Sequence, residues 1–104
     1  MQEQIQKYLE AIKSDYAGWN EVSKIRKEMV TQFNAGLTIV PGNKYIKVVS
    51  KGSVHSFIVA QDTPKFKRGD VLKAKSWKAP ATNFARGNLL SDNFNFEAVR
   101  WTGA

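Results

Sequence analysis

Through the first third of the chain, apolar side chains recur every three or four residues. Ile5, Tyr8, Leu9, Ile12, Tyr16, Trp19, Val22, Ile25, Met29 and Phe33 form one stripe, with Glu, Lys, Gln and Ser opposite it. A 3.6-residue period places such positions on a single face, so the spacing predicts an amphipathic helix from Ile5 to Phe33. Gly36 follows where a helix takes a left-handed C-terminal residue, which predicts the end of the helix there. Gly18 in Ala17-Gly18-Trp19-Asn20 is the interior weak point. The helix either continues through it or breaks, with Asn20 capping a second helix.

After Gly36 the spacing changes to that of strands. Leu37-Thr38-Ile39-Val40 is closed by Pro41-Gly42, and two β-rich runs, Tyr45 to Val49 and Val54 to Ala60, flank the glycine turn Lys51-Gly52-Ser53 as a hairpin. Gln61-Asp62-Thr63-Pro64 ends the second run, and the turn Lys67-Arg68-Gly69-Asp70 launches a strand from Val71 to Trp77. Lys78-Ala79-Pro80-Ala81 interrupts pairing, Asn83 to Leu90 reads as a short strand or ordered loop, and Phe94 to Trp101 reads as the last strand. With no helical pattern between them, these strands predict an antiparallel sheet curled into a small barrel of the Sm, SH3 or OB type. The expected class is α+β. Residues 1–104 form one domain, with 1–35 a helical segment and 36–104 a basic small β-barrel, because 104 residues are too few for two cores.

Helix length bears on association. An unbroken helix of about 30 residues reaches roughly 45 Å, whereas a β domain of about 70 residues is about 30 Å across. Either the helix bends near Gly18 or its first half finds cover on another subunit, since Ile5, Leu9 and Ile12 are poor solvent-facing residues. The overhang favours a homo-oligomer.

Charge sharpens the picture further. Residues 1–35 carry five basic and five acidic side chains. Residues 36–104 carry eleven basic ones against Asp62, Asp70, Asp92 and Glu97, so the whole net charge of +7 belongs to the second segment. A localised positive field favours polyanionic partners; the plainer reading is solubility alone. Apolar residues at 42% and charged residues at 24% are ordinary for a folded domain. No apolar run long enough for a membrane span and no signal-peptide pattern is present, and there are no cysteines, which together predict a cytoplasmic protein without a membrane role.

Catalytic chemistry finds little support. His55 is the lone histidine and alternates with Val54 and Ser56 in a predicted strand; no nucleophile-elbow pattern accompanies it, so it reads as a structural or surface histidine. One histidine without cysteines leaves zinc without its usual ligands, the scattered acids show no calcium-loop spacing, and the glycines are isolated turn residues rather than a phosphate loop. The expectation is no enzyme activity, no cofactor, no metal and no small-molecule substrate. Arg68-Gly69-Asp70 spells an adhesion tripeptide, yet turn chemistry explains it.

The richest functional stretch runs from Lys65 to Arg86. It holds Lys65, Lys67, Arg68, Lys73, Lys75, Lys78 and Arg86 against Asp70 alone, with Phe66, Trp77 and Phe84 interleaved. On a strand from Val71 to Trp77, a period of two puts Val71, Lys73, Lys75 and Trp77 on one solvent-facing side. Ammonium groups beside an aromatic ring suit single-stranded DNA or RNA, with cations on phosphates and the ring stacking on a base. The plainer reading has Trp77 packed under the helix and the lysines as a solvated face.

Phe84-Ala85-Arg86-Gly87-Asn88-Leu89-Leu90 resembles the second motif of Sm-like proteins, in which an Arg-Gly segment contacts RNA bases. That resemblance implies base contacts from Arg86 and Asn88. The first Sm motif, with its acidic residue and Met-Asn pair, has no clear counterpart between Tyr45 and Trp77. The stretch from Lys65 to Asn88 is also similar to short uncharacterised proteins of marine tailed phages, which implies a phage accessory protein in a bacterial cytoplasm. The candidate nucleic-acid contacts are therefore Lys67, Arg68, Lys73, Lys75, Trp77, Lys78, Arg86 and Asn88. The alternative is an oligomeric structural or adaptor protein with no nucleic-acid role.

Overall fold

The computed structural model of the chain describes residues 1–19, 35–50, 52–100 and 102–103. Helix α1 spans Gln2–Trp19. It buries Ile5, Tyr8, Leu9, Ile12 and Tyr16, the first five positions of the stripe, and leaves Gln6, Lys7, Glu10 and Ser14 exposed. The expected continuation to Phe33 and the cap at Asn20 turn on residues 20–34, outside the described residues; α1 itself runs through Gly18 to Trp19, and Ile5, Leu9 and Ile12, expected to need cover on another subunit, are buried in the chain's own core. Ala35 and Gly36 have helical backbone and run straight into the first strand, so Gly36 does not take the expected left-handed conformation.

Five strands follow: β1 (Leu37–Val40), β2 (Tyr45–Ser50), β3 (Ser53–Val59), β4 (Asp70–Lys73) and β5 (Gly87–Asn88). They lie side by side in chain order, each antiparallel to the next, which makes the protein α+β. Among the described residues no ladder joins β5 back to β1, so the sheet is not closed. None of the described helices is long and apolar enough to cross a membrane.

Two predicted strands are corrected. The run from Val71 to Trp77 stays in the sheet only as far as Lys73. Beyond it the chain doubles back: the Ala81 amide donates to the Lys73 carbonyl at 2.7 Å, Ala74 bridges Pro80, and the Lys75 and Ser76 amides both donate to the Ala79 carbonyl. The result is a short flap, residues 73–81, with Trp77 and Lys78 at its tip. The predicted strand from Phe94 to Trp101 is instead a 3-10 turn at Phe96–Ala98, capped by Asn95, whose Oδ1 accepts from the Glu97 amide at 3.0 Å. Phe94 and Phe96 alternate as strand residues would, but both pack toward α1, edge to face with ring centres 4.7 Å apart.

The sheet is covered on two sides. On one, the α1 stripe packs on Leu37, Val48, Ile58, Val71 and Leu89, with Phe94, Phe96 and Val99 at the margin. On the other, Phe57, Val59 and Leu72 meet Phe66 from the β3–β4 loop, with Tyr45, Val54, Ala74 and Ala85 beside them. Strands β3 and β4 therefore bury residues toward both sides. Each fully buried side chain of the size of Ile58 or Leu72 contributes about 1.5–3 kcal/mol.

One irregularity positions a polar group. Val48 pairs with Ser56 and Val49 pairs with Val54, so β3 carries an extra residue, His55, as a β-bulge. In an unbroken strand His55 and Ser56 would point to opposite sides; a bulge relaxes that rule. Both side chains here reach Tyr8 of α1.

Candidate nucleic-acid interface

The helix side holds the buried polar chemistry. His55 Nε2 lies 2.7 Å from the Arg100 carbonyl, which can only accept, so Nε2 carries the proton. Burial lowers the pKa of His55, against a smaller upward pull from the Arg100 carbonyl, which keeps the ring neutral and makes Nδ1 an acceptor. Ser56 Oγ, 2.9 Å away, then donates to Nδ1, and Tyr8 donates to Ser56 Oγ at 2.8 Å. Burial of the Tyr8 phenol pushes its pKa up to about 12, partly offset by the Ser56 hydrogen bond. A one-directional chain thus runs from α1 through β3 to the C-terminal segment. Ser56 is fully buried with both partners taken, so this Ser–His neighbour pair gives a substrate no approach. Among the described residues no three His, Asp or Glu side chains converge.

The cations gather at the flap end of the sheet. Val71 is buried in the helix-side core and Leu72 in the other, so the solvent-facing row of Val71, Lys73, Lys75 and Trp77 expected for a long strand does not form. The flap produces a different grouping. Lys73, Lys75 and Arg86 line a cleft of about 370 Å³ with Asn83 and Phe84. The Arg86 guanidinium stacks 4.4 Å from the Phe84 ring centre, and Phe84 is 57% exposed. At the flap tip Trp77 is 48% exposed, with Lys47 Nζ 4.6 Å from its ring centre and 6.0 Å from that of Phe57. Trp77 therefore leans over the side away from α1. Such cation–ring contacts at exposed sites are worth about 0.5–1 kcal/mol each. Among the described residues none of these cations is in an ion pair; the pairs formed are Glu10–Lys13 and Asp15–Arg100.

The remaining predicted residues separate from this group. Lys67 and Arg68 are exposed in the turn before β4. Its backbone is set by Asp70 Oδ2 accepting from the Lys67 amide at 2.9 Å and Asp62 Oδ1 accepting from the Arg68 amide at 2.8 Å. The turn needs glycine, since Gly69 has φ +95° and a Cβ there would lie 3.0 Å from Asn88 and Leu90. The Arg-Gly-Asp triplet is turn chemistry. Arg68 lies in the turn at the start of β4 and Lys73 at its end, so the strand separates the two basic groups by roughly 10 Å over the three steps from Asp70 to Lys73.

Asn88 is committed to the fold. Its Nδ2 donates to the Arg68 carbonyl at 3.0 Å and to Asp70 Oδ1 at 2.9 Å, and its Oδ1 accepts from the Leu90 amide at 2.7 Å. With both amide protons used, its role is to fasten β5 to the turn before β4. Gly87 beside it admits the Phe94 ring, which would lie 3.0 Å from a Cβ.

Sequence reasoning missed Lys47 and gave Phe84 no role. Lys47 was readable, because Tyr45 and Lys47 alternate with Ile46 and Val48 in β2 and must face the other side. Its meeting with Trp77 depends on the flap, which no local pattern announces.

These features define a small α+β protein with a buried polar chain on its helix side and, among the described residues, an unpaired basic, aromatic surface around the flap. All of residues 1–104 match the family model described as Family of unknown function (DUF7717), and the chain belongs to that family. No curated protein and no solved structure matches the chain.

Proposed function

We propose that this chain is a non-enzymatic nucleic-acid-binding accessory protein that holds single strands across the cleft and flap. The observation that carries this reading is the convergence of Lys73, Lys75 and Arg86 around exposed Phe84, with no carboxylate among the described residues neutralising them. Three cations spaced around a groove match a phosphate backbone, and half-exposed Phe84 and Trp77 offer ring faces to bases. Lys47 and Lys78 extend the field around Trp77; Lys67 and Arg68 provide a second phosphate contact along the strand. A phage setting is supported by the sequence likeness of Lys65 to Asn88. The five antiparallel strands behind a helix are compatible with an Sm- or SH3-like barrel whose β1–β5 seam is open. Fluorescence anisotropy with labelled single-stranded DNA and RNA at two salt concentrations tests the function. Binding should weaken with salt and be lost in Lys73→Ala/Lys75→Ala; no retention at the lower salt sinks the proposal.

A second reading, a homo-oligomeric adaptor, is favoured by a different observation. β1 is an edge strand with its outer side unpaired among the described residues, and Val40 at its end is an exposed large apolar residue, as is Leu90 just past the opposite edge strand β5. Light scattering at high micromolar concentration distinguishes the two: a monomer with or without DNA removes the oligomer.

A further inference from the structure

Arg86 borders two hollows. Besides the basic cleft it lines a larger one, of about 630 Å³, on the other side of β5 with Tyr8, Phe94, Val99, Asn93 and Asn95. That volume is in the range of sites for small planar ligands. Its apolar lining is aromatic and rigid, with Phe94 held edge to face between Phe96 at 4.7 Å and Tyr8 at 6.3 Å.

The polar groups around this hollow divide sharply. Tyr8, His55 and Asn88 are spent on internal hydrogen bonds. Asn93 uses only its backbone amide, on Ser91 Oγ, and its carboxamide has no partner among the described residues. Asn95 Oδ1 accepts from the Glu97 amide, which leaves both Nδ2 protons free. The Arg86 guanidinium is stacked but not ion-paired. Arg100 also lines the hollow, but its guanidinium is taken by Asp15 and by the Glu97 and Val99 carbonyls. An aromatic hollow with unengaged carboxamides and one uncommitted cation in its lining matches a nucleoside phosphate: a flat ring to bury, a donor–acceptor edge for the amides, and an anion for the guanidinium.

We propose that this hollow takes one nucleobase, its edge read by Asn93 and Asn95 and its phosphate resting on Arg86, from which the chain of phosphates continues into the Lys73–Lys75 cleft. The proposal rests on the nucleic-acid reading above and adds to it that a base is turned out of the strand. Duplexes are then poor ligands, because their bases are stacked and paired.

The test compares three probes at low salt: a single strand with bases, a strand of equal length made only of abasic deoxyribose phosphates, and a free mononucleotide. The base-bearing strand should bind about tenfold more tightly than the abasic one. The Asn93→Ala/Asn95→Ser variant, whose serine keeps the capping oxygen, should weaken the base-bearing strand about fivefold. Abasic binding and the melting temperature should not change. A mononucleotide with affinity comparable to the strand and the same Asn dependence supports the hollow and assigns it to a free nucleotide. Equal binding of base-bearing and abasic strands, or an unaffected variant, overturns the base pocket and leaves the phosphate cleft standing. No binding of any strand overturns both.

Discussion

The two sides of the sheet solve opposite problems with the same strands. Toward α1, every hydrogen-bonding atom of Tyr8, Ser56 and His55 has a partner, and the apolar residues around them are buried. Around the flap, Lys73, Lys75 and Arg86 form no ion pair among the described residues, and two aromatic rings are about half exposed. Buried polar groups are costly unless satisfied, whereas exposed unsatisfied ones are free to meet a ligand. The contrast ties stability to the buried chain and leaves the flap free of that duty, and it can be tested by mutating each.

The largest effect is expected at Ile58, fully buried on the helix side. Ile58→Ala should cost about 2–5 kcal/mol in denaturant unfolding. Gly69→Ala should follow at about 1–3 kcal/mol, since φ of +95° strains any L side chain and Asn88 and Leu90 crowd the new methyl. Tyr8→Phe removes the first donor of the buried chain and should cost about 1 kcal/mol.

The same chain should bound stability in pH. A neutral buried His55 has a folded pKa below its unfolded value near 6.5, so the unfolded state binds the extra proton first and stability falls as pH drops below about 6.5. Tyr8 is the reverse case. Its folded pKa of about 12 exceeds the unfolded value of 10.0, so stability is full below pH 10 and is lost as pH rises toward 12. In Tyr8→Phe the alkaline loss belonging to this residue should vanish while the acid loss persists, which urea titrations across pH would read.

The smallest change in stability belongs to the flap. Trp77→Ala should shift unfolding by no more than about 0.5 kcal/mol, yet lower single-strand affinity about tenfold. A destabilisation comparable to that of Ile58→Ala would collapse the distinction between the two sides.

Periodicity made the α1 stripe and the β2–β3 hairpin legible, because each is a repeated local choice of side chains on one face. It misread β4, where Val71, Lys73, Lys75 and Trp77 alternate as a strand would while the chain leaves the sheet after Lys73. Pairing of Ala74 with Pro80 and of Lys73 with Ala81 decides that point, and pairing is not local. It misread Phe94-Asn95-Phe96 for a related reason: two aromatics two residues apart served the helix-side core, while the asparagine between them capped a turn. His55 reads from sequence as structural or surface; it is buried, and the bulge that turns it toward α1 is a property of register between strands. For the candidate site, the basic stretch was legible as composition; the grouping of Lys73, Lys75, Arg86 and Phe84, and the diversion of Asn88 into the fold, required the flap and β5 to be placed.

The buried chain from Tyr8 to the Arg100 carbonyl has a consequence in time. Its links join residues 45 to 48 positions apart in sequence. Contacts of such separation close large loops, and the lost chain entropy is recovered only when the sheet is already assembled. They belong to the late, native side of the folding barrier, where weakening them accelerates escape and barely slows arrival. In stopped-flow traces Tyr8→Phe should therefore steepen the loss of native signal while refolding keeps its pace: the helix-side lock governs how long the native state lasts more than how fast it is reached.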